Sequence, residues 1–527
     1  MSEARTIGER GITPRPQRAA EPDWSPLKED VVLGKDVLEL LSMSMYVDPM
    51  TIYREYVQNA ADAIDQAREA GLLAAEEKGT VTIDADAAAR TIRIRDNGTG
   101  IPWDSFGKQL TALGASRKRG TRARGFRGVG RLAGLGYCQE LAFRSRADGE
   151  AFVSELRWDC RRLQTALRTQ DYQGNLAEIV RHAVTLRRIP AEGVPARFFE
   201  VELRNVIRHR NDRLLNPAGV AEYLAEVAPV PFHPEFSFGA EITAALASHI
   251  SLGAVELLIN GVDGPVYRPH RGRFEVGSQR TDEFTSLQLI EIPGENGGIA
   301  AVGWLLHHGY VGALPQSAGI KGLRLRAGNI QVGESNLLEM LFVEPRFNSW
   351  AVGEIHMVDP RIVPNGRRDT FLDNVHYANV INHLAPVARD IARHCRTSSI
   401  RRKWLREFEL EEADAREKLS ILDQGTLGAA ARVRTTRAIR ESLAEMEKIG
   451  RMDAFDDEDA RKLQKTVASV KRGLERALGA KLPAAPLDAL PQAKQKMYQH
   501  LFDLIYECSA NQTAAKALVD RILVKIG

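Results

Sequence analysis

Glu55 and Asn59 stand four residues apart, a spacing that on a helix sets a carboxylate one turn before a carboxamide. Such a pair can activate water beside a magnesium ion. The amide supplies a neutral oxygen ligand, and the carboxylate takes a proton from the attacking water. Asp62, seven residues after Glu55, continues the stripe. Alone, this stripe reads more often as the solvated face of an amphipathic helix. A second group follows at Asp96-Asn97-Gly98-Thr99-Gly100-Ile101. Its glycines let backbone approach a flat ring, and a buried carboxylate there can accept a hydrogen bond from an exocyclic amine, selecting adenine over guanine. A plain Asp-Asn-Gly turn has the same residues. The third group, Gly125-Phe126-Arg127-Gly128-Val129-Gly130, clears side chains where backbone N–H groups must wrap phosphates. In this order the three specify an ATP site.

The elements that position them are legible nearby. Thr51–Arg68 reads as a helix, rich in Ala, Glu, Gln and Arg with no Gly or Pro before Gly71, and Asp48-Pro49 marks its start. Val57, Ala60, Ala61 and Ile64 form its packing face. Thr91–Arg95 alternates with period two and delivers Asp96 at a strand end; Gly79–Asp84 is its hairpin partner, with Asp86–Arg90 as the turn. Val129–Gly136 can open a helix whose positive end faces anions. The glycine spacing is G-x-x-G-x-G, and the basic stretch Arg117–Arg124 stands where a Rossmann site needs a strand. No G-x-x-x-x-G-K-[ST] loop occurs.

The three motifs resemble those of the GHKL (Bergerat-fold) ATPases: heat-shock protein 90 chaperones, DNA gyrase B, MutL mismatch-repair proteins, histidine kinases and Microrchidia proteins. Tyr53–Asp65 is most similar to the heat-shock protein 90 form. The resemblance implies ATP and Mg2+ as ligands, with Glu55 as general base, Asn59 as the metal ligand and Asp96 as the adenine-recognising carboxylate. It implies Gly98, Gly100 and Ile101 beside the nucleotide, Leu110–Arg124 as a lid, and Gly125, Gly128, Val129 and Gly130 around the phosphates. Asp62 is placed behind the catalytic pair or toward the lid. The family closes its site with a Gly-Thr pair on a later strand; Arg197–Leu203, the candidate strand, has none, so no residue is assigned. From Val230 to about Asp373 the order of strands resembles the heat-shock protein 90 middle domain. There a loop Asn-x-Ser-Arg-Glu sends its arginine to the ATP site. Asn365-Gly366-Arg367-Arg368-Asp369 matches with two departures, making Arg368 the expected arginine and Arg367 its understudy. Lys321 is a second candidate, since gyrase- and MutL-like members use a middle-domain lysine on the terminal phosphate; a surface cation near a strand end is the plainer reading.

Composition bounds the rest. The chain has 527 residues, 44% of them hydrophobic, enough for three or four domains. The expected division is a polar arm at 1–28, the ATPase domain at 29–215, a middle domain at 216–393, a charged helical segment at 394–482 and a helical module at 483–527. The fold class is α/β: a two-layer α+β ATPase domain, an α/β middle domain and a helical C-terminal region. A net charge of +3 is too small to drive nucleic-acid binding through overall field. Arg117, Lys118, Arg119, Arg122, Arg124, Arg127 and Arg131 crowd the lid, where they read as a solvated loop or as contacts to ATP or nucleic-acid phosphates. Four scattered cysteines give neither metal cluster nor disulfide framework and fit a reducing cytoplasm. No apolar run approaches the roughly 18–20 residues that cross a bilayer. Leu463, Val467, Val470, Leu474 and Leu478 form a seam close to a coiled coil, with Ile439, Leu443 and Met446 upstream, so the helical region reads as a self-packing or dimerising module or as a helical cap on the middle domain. Tyr498, Leu501, Leu504 and Ile505 share one side of a last helical unit, followed by Leu518, Ile522 and Leu523.

The leading function is a slow ATPase that drives lid closure and conformational change, acting on protein clients or within a complex, as a homodimer by resemblance. The alternative is a DNA-associated ATPase of the MutL or Microrchidia kind, in genome maintenance or defence against phage. No phosphoacceptor helix precedes the motifs, which disfavours a histidine kinase.

Overall fold

A computed structural model describes residues 48–74, 76–113, 124, 130–169, 176–208, 212–276, 280–479, 487 and 490–526. The first helix, α1, runs Thr51–Glu69, and its apolar positions Val57, Ala60, Ala61 and Ile64 are wholly or nearly buried. Strands β1 (Thr80–Asp86) and β2 (Thr91–Asp96) form the expected antiparallel hairpin. After α2 (Trp103–Thr111) and a 3₁₀ turn at Gly130–Gly136 come β3 (Cys138–Arg146), β4 (Phe152–Asp159), α3 (Cys160–Arg168), α4 (Leu176–Ala183), β5 (Val184–Pro190) and β6 (Phe198–Val206). The described part of the run expected to open a helix, Gly130–Gly136, is therefore a short 3₁₀ helix and not an α-helix.

These strands make one sheet in the order β5-β4-β3-β6-β2-β1-β7. Its seventh strand, β7 (Glu256–Ile259), pairs parallel with β1 and comes after α5 (Pro217–Val227) and α6 (Gly239–Leu246). The boundary expected at 215 therefore does not separate the two sheets. Leu257, Ile259, Val220 and Leu224 share the first core with α1, because β1 would otherwise present an open edge. One face of this sheet packs on α1 through Ile92, Ile94, Leu141, Phe143, Val201 and Leu203.

The opposite face is a lattice of charge. Arg187, Glu155, Arg144, Glu200 and Arg95 are direct register partners across five strands. Arg144 stands 3.2 Å from Glu155 and 3.3 Å from Glu200, and Arg95 2.6 Å from Glu200. Glu155 and Glu200 are fully covered by these arginines. Burial alone would raise the carboxyls of Glu155 and Glu202, yet hydrogen bonds from Arg187, Arg157 and Arg144 to the first, and from Arg204 and Arg93 to the second, hold both below their ordinary value. A depressed carboxylate contributes stability above its unfolded pKa and loses it as pH falls through the folded one. We expect Glu155→Gln/Glu202→Gln to melt earlier at neutral pH and to lose less on acidification from pH 7 to 3 than the parent. Parallel acid melting curves would remove this role.

The second sheet has the order β12-β11-β13-β10-β9-β8. Its strands are β8 (Arg273–Val276), β9 (Arg280–Pro293), β10 (Ile299–His308), β11 (Gly322–Ala327), β12 (Ile330–Val332) and β13 (Val352–Met357). Only β11 and β13 run parallel within it. The first half of α7 (Val375–Asp423) covers one side through Val380, Leu384, Ala388 and Ile391. On the other side lies a buried polar cluster. Glu354 receives Arg268 at 2.5 Å and Arg326 at 2.6 Å, while Arg324 reaches Glu226 at 2.8 Å. Arg326 also donates to the Glu226 carbonyl and Arg268 to that of Val230. These carbonyls lie at and just beyond the C-terminal end of α5, where cations are favoured. The helix is thus packed into the first core and clamped to the second sheet.

The boundary expected at 394 falls inside α7, which runs 49 residues without a break, because its start packs on the second sheet and its end enters a helical bundle. There it meets α8 (Ala429–Ile449) and α9 (Asp457–Gly479). Leu463, Val467, Val470 and Leu474 are buried against Ile439, Leu443, Met446, Phe408 and Leu422, so that seam packs within its own chain, whereas Leu478, its expected last member, is exposed in the final turn of α9. The last helices are α10 (Gln492–Cys508) and α11 (Gln512–Ile526). Tyr498 and Ile505 turn inward with Phe502 and Tyr506, whereas Leu501 and Leu504 are exposed, so the four residues read as one side divide between two. Among the described residues no helix is long and apolar enough to cross a membrane.

Candidate functional site

The polar stripe of α1 is buried, not solvated: Glu55 and Asp62 are 5% and 2% exposed, with Asn59 half-buried between them. Desolvating carboxylates is costly unless they are partnered, and both of these have specific partners. Arg54 lies 3.4 Å from the Glu55 carboxylate. The backbone of Gly130 passes so close that a Cβ there would stand 2.4 Å from Glu55 Oε2. Any side chain at that glycine, the last of the third motif, would displace the Glu55 carboxylate from this position. Asp62 accepts the main-chain N–H of Arg124 at 2.9 Å and its guanidinium at 3.4 Å. Tyr56 pins the 3₁₀ turn onto α1, accepting from Gly134 N and donating to Arg131 O.

Asp96 sits at the end of β2, 5% exposed, its Oδ1 accepting from Gly98 N at 2.9 Å. Oδ2 has no hydrogen bond among the described residues. Burial pushes its pKa up to about 7 against the lowering effect of that backbone N–H. Gly100 has φ +67°, and a Cβ on it would meet Arg146 O at 2.2 Å. Ile101 N donates to Ser145 Oγ at 2.6 Å, which in turn donates to Phe198 O. Opposite Asp96 on β6 stands Phe199, and Ser145 on β3 lies in the same row, so the hydroxyl beyond Phe199 belongs to β3 and not to the candidate strand Arg197–Leu203. Nothing local in the sequence marks Ser145, since only the register of three strands sets it in the row of Asp96.

The loop 365–369 arrives from the second sheet. Asn365 closes it, bonding the Asp369 carboxylate and accepting from Asp369 N. Arg368 is held at φ +57°, a left-handed conformation unusual for arginine. It is 7% exposed, its Nε 3.6 Å from Glu55 Oε1 and its Nη2 donating to Arg124 O at 2.6 Å. Arg367 is exposed, and its carbonyl accepts from Arg54. Geometry thus brings Glu55, Asn59, Asp62, Gly130 and Arg368 together, with Asp96, Gly98, Gly100 and Ile101 at the neighbouring strand end. Lys321 is not among them. It precedes β11, whereas the far end of that strand, at Gly328, meets Arg124. At the rise of an extended strand this leaves Lys321 roughly 20 Å away. Gly125, Gly128 and Val129 lie outside the described residues, as do Arg117–Arg122 and Arg127 of the basic cluster. Arg124 and Arg131, the two described members, turn inward; Arg131 donates to Ala112 O.

The donor set fits a magnesium nucleotide. Magnesium is usually held through phosphates and water with few protein ligands, so one neutral amide oxygen, that of Asn59, beside a carboxylate is a compatible set. An acceptor oxygen at the mouth of a glycine loop suits an adenine amine.

Residues 50–182 match the family model of the histidine kinase-, DNA gyrase B- and HSP90-like ATPases. The chain is 38% identical over 93 residues to the chaperone protein HtpG of Bordetella parapertussis, covering 17% of this chain and 14% of that protein. HtpG of Polaromonas naphthalenivorans is 30% identical over 142 residues, 23% of this chain and 22% of its own. HtpG of Nitrobacter winogradskyi is 35% identical over 109 residues, 19% and 17% respectively. Residues 50–182 are thus similar to the GHKL ATPase domains of the HSP90-like kind, and the matched stretches span under a quarter of each chaperone.

Proposed function

We propose that the chain binds ATP with Mg2+ and hydrolyses it slowly to drive conformational change, as an HSP90-like chaperone or the ATPase subunit of a complex. The observation that carries this reading is the meeting of Arg368, from the second sheet, with Glu55 on α1. Asp96 accepts the adenine amine, Asn59 offers its amide oxygen to the ion, and Glu55 takes the proton of the attacking water. Arg368 stabilises charge on the transferring phosphoryl group. A magnesium ion held beside Asn59 would supply charge neutralisation to the phosphates. Protein clients, a cytoplasmic setting and a homodimer belong to the same proposal. The inward turn of Arg124 and Arg131, and the carboxylate partners of the sheet arginines, favour protein over nucleic acid as partner.

Calorimetric titration with magnesium ATP tests the reading. Binding is expected in the parent and about tenfold or more weaker in Asp96→Asn, by loss of a charge-assisted hydrogen bond. Because the amine needs an ionised acceptor, affinity should rise with pH up to about 7 and then level off. In the protein alone, Asp96 contributes stability that is present below its unfolded pKa and lost as pH rises through about 7. No heat and no thermal shift with nucleotide would sink the proposal. Stimulation of turnover by DNA and not by unfolded protein would move it to the DNA-associated class.

A further inference from the structure

Arg124 precedes the third glycine motif and looked like one cation of a solvated run, yet its side chain is 7% exposed. It bonds to three separate segments. Its N–H and Nη1 hold Asp62, and Nη1 holds Asp65 at 2.6 Å, both on α1. Its Nε donates to Gly328 O at 2.6 Å, in the turn between β11 and β12. Its carbonyl accepts Arg368 Nη2 at 2.6 Å. The same hairpin holds Arg368 from the other side, since Gly333 N, just past β12, donates to Arg368 O at 2.8 Å. The bonds close a ring: α1 to Arg124, Arg124 to the hairpin, hairpin to Arg368, Arg368 back to Arg124.

The turn is shaped for this passage. Gly328 has φ +57°, and a Cβ on it would stand 2.6 Å from Arg124 Cγ. Asn329 beside it is held by Arg268, and Arg326 two residues earlier by the end of α5. The hairpin is therefore a fixed strut, and Arg124 fastens it to the helix that carries Glu55. A guanidinium can serve Asp65 and the Gly328 carbonyl at once; a lysine ammonium lacks that fork.

We infer that Arg124 is a positioning residue for the ATPase reaction, setting Arg368 against the Glu55 helix; this rests on the function proposed above. Misplacement of a catalytic group by about 1 Å costs up to about 10²-fold. Arg124→Met is accordingly expected to lower turnover at saturating ATP by about tenfold to a hundredfold, with KM for ATP changed by less than about threefold. In Arg368→Ala the same substitution should cost almost nothing more, because the two act as one unit. Gly328→Ala keeps every charged group and displaces Arg124 sterically, so it should reproduce the loss even if Arg124→Met folds poorly. Arg124→Lys should fall between. Hydrogen exchange of the amides at 365–370 gives a readout independent of hydrolysis: faster exchange is expected in Arg124→Met and Gly328→Ala. Unchanged exchange overturns the inference, as do multiplicative losses in the double variant. A parent that hydrolyses no ATP, with the loop still loosened by these substitutions, overturns the ATPase reading alone.

Discussion

Arg368→Ala should slow ATP turnover by about 10³–10⁵-fold, the range for an arginine acting on a transferring phosphoryl group. The nucleotide dissociation constant should hardly move. The reason lies in what Arg368 touches: the Glu55 carboxylate and the Arg124 carbonyl, with Asp96 and its glycine loop on another strand. Removing it takes away charge stabilisation needed most as the phosphoryl group transfers, which lowers kcat and kcat/KM together. Arg368→Lys should recover little, since a point charge cannot hold the Arg124 carbonyl and reach a phosphoryl oxygen in one geometry. Rapid-quench measurement of phosphate release beside calorimetric binding separates the two constants. A large loss of affinity with unchanged turnover of the bound nucleotide would remove the assignment and make Arg368 a binding residue.

The parts of this site that were legible in the sequence are those whose signals are local. The α1 stripe follows from helical spacing in a stretch free of glycine and proline, and Asp96 at a strand end follows from the alternation of Thr91–Arg95. What was illegible depends on pairing between distant segments. Four residues, Glu256–Ile259, carry no local sign that they will lie beside β1 and move the domain boundary. Alternating arginine and glutamate in β2, β3, β4 and β6 announces a polar face. Which arginine covers Glu155 and which covers Glu200 is a matter of register. Periodicity likewise marked Leu463, Val467, Val470 and Leu474 as a packing face without saying that α7 and α8 of the same chain would fill it. Arg124 and Lys321 failed for opposite reasons. The first sat in a run of exposed-looking cations yet is drawn in by Asp62 and Asp65, and the second had suitable chemistry at the wrong end of its strand.

Glu55 is the residue whose loss should be most informative. Both Glu55→Ala and Glu55→Gln are expected to bind magnesium ATP as tightly as the parent, or more tightly, and to hydrolyse it about 10²–10⁴-fold more slowly. Retained or improved binding follows from the company Glu55 keeps. Arg54 and Arg368 both face its carboxylate, and without it two guanidiniums are left for a phosphate chain. The glutamine variant separates proton transfer from ion pairing, because it keeps the volume and an acceptor oxygen for Arg368 and loses only basicity. If the carboxylate served chiefly to hold Arg368 in place, Glu55→Gln would turn over far faster than Glu55→Ala; if it is the base, the two are equally slow. Single-turnover phosphate release at saturating nucleotide distinguishes these outcomes, and parent-like turnover in Glu55→Gln would strip Glu55 of its catalytic role.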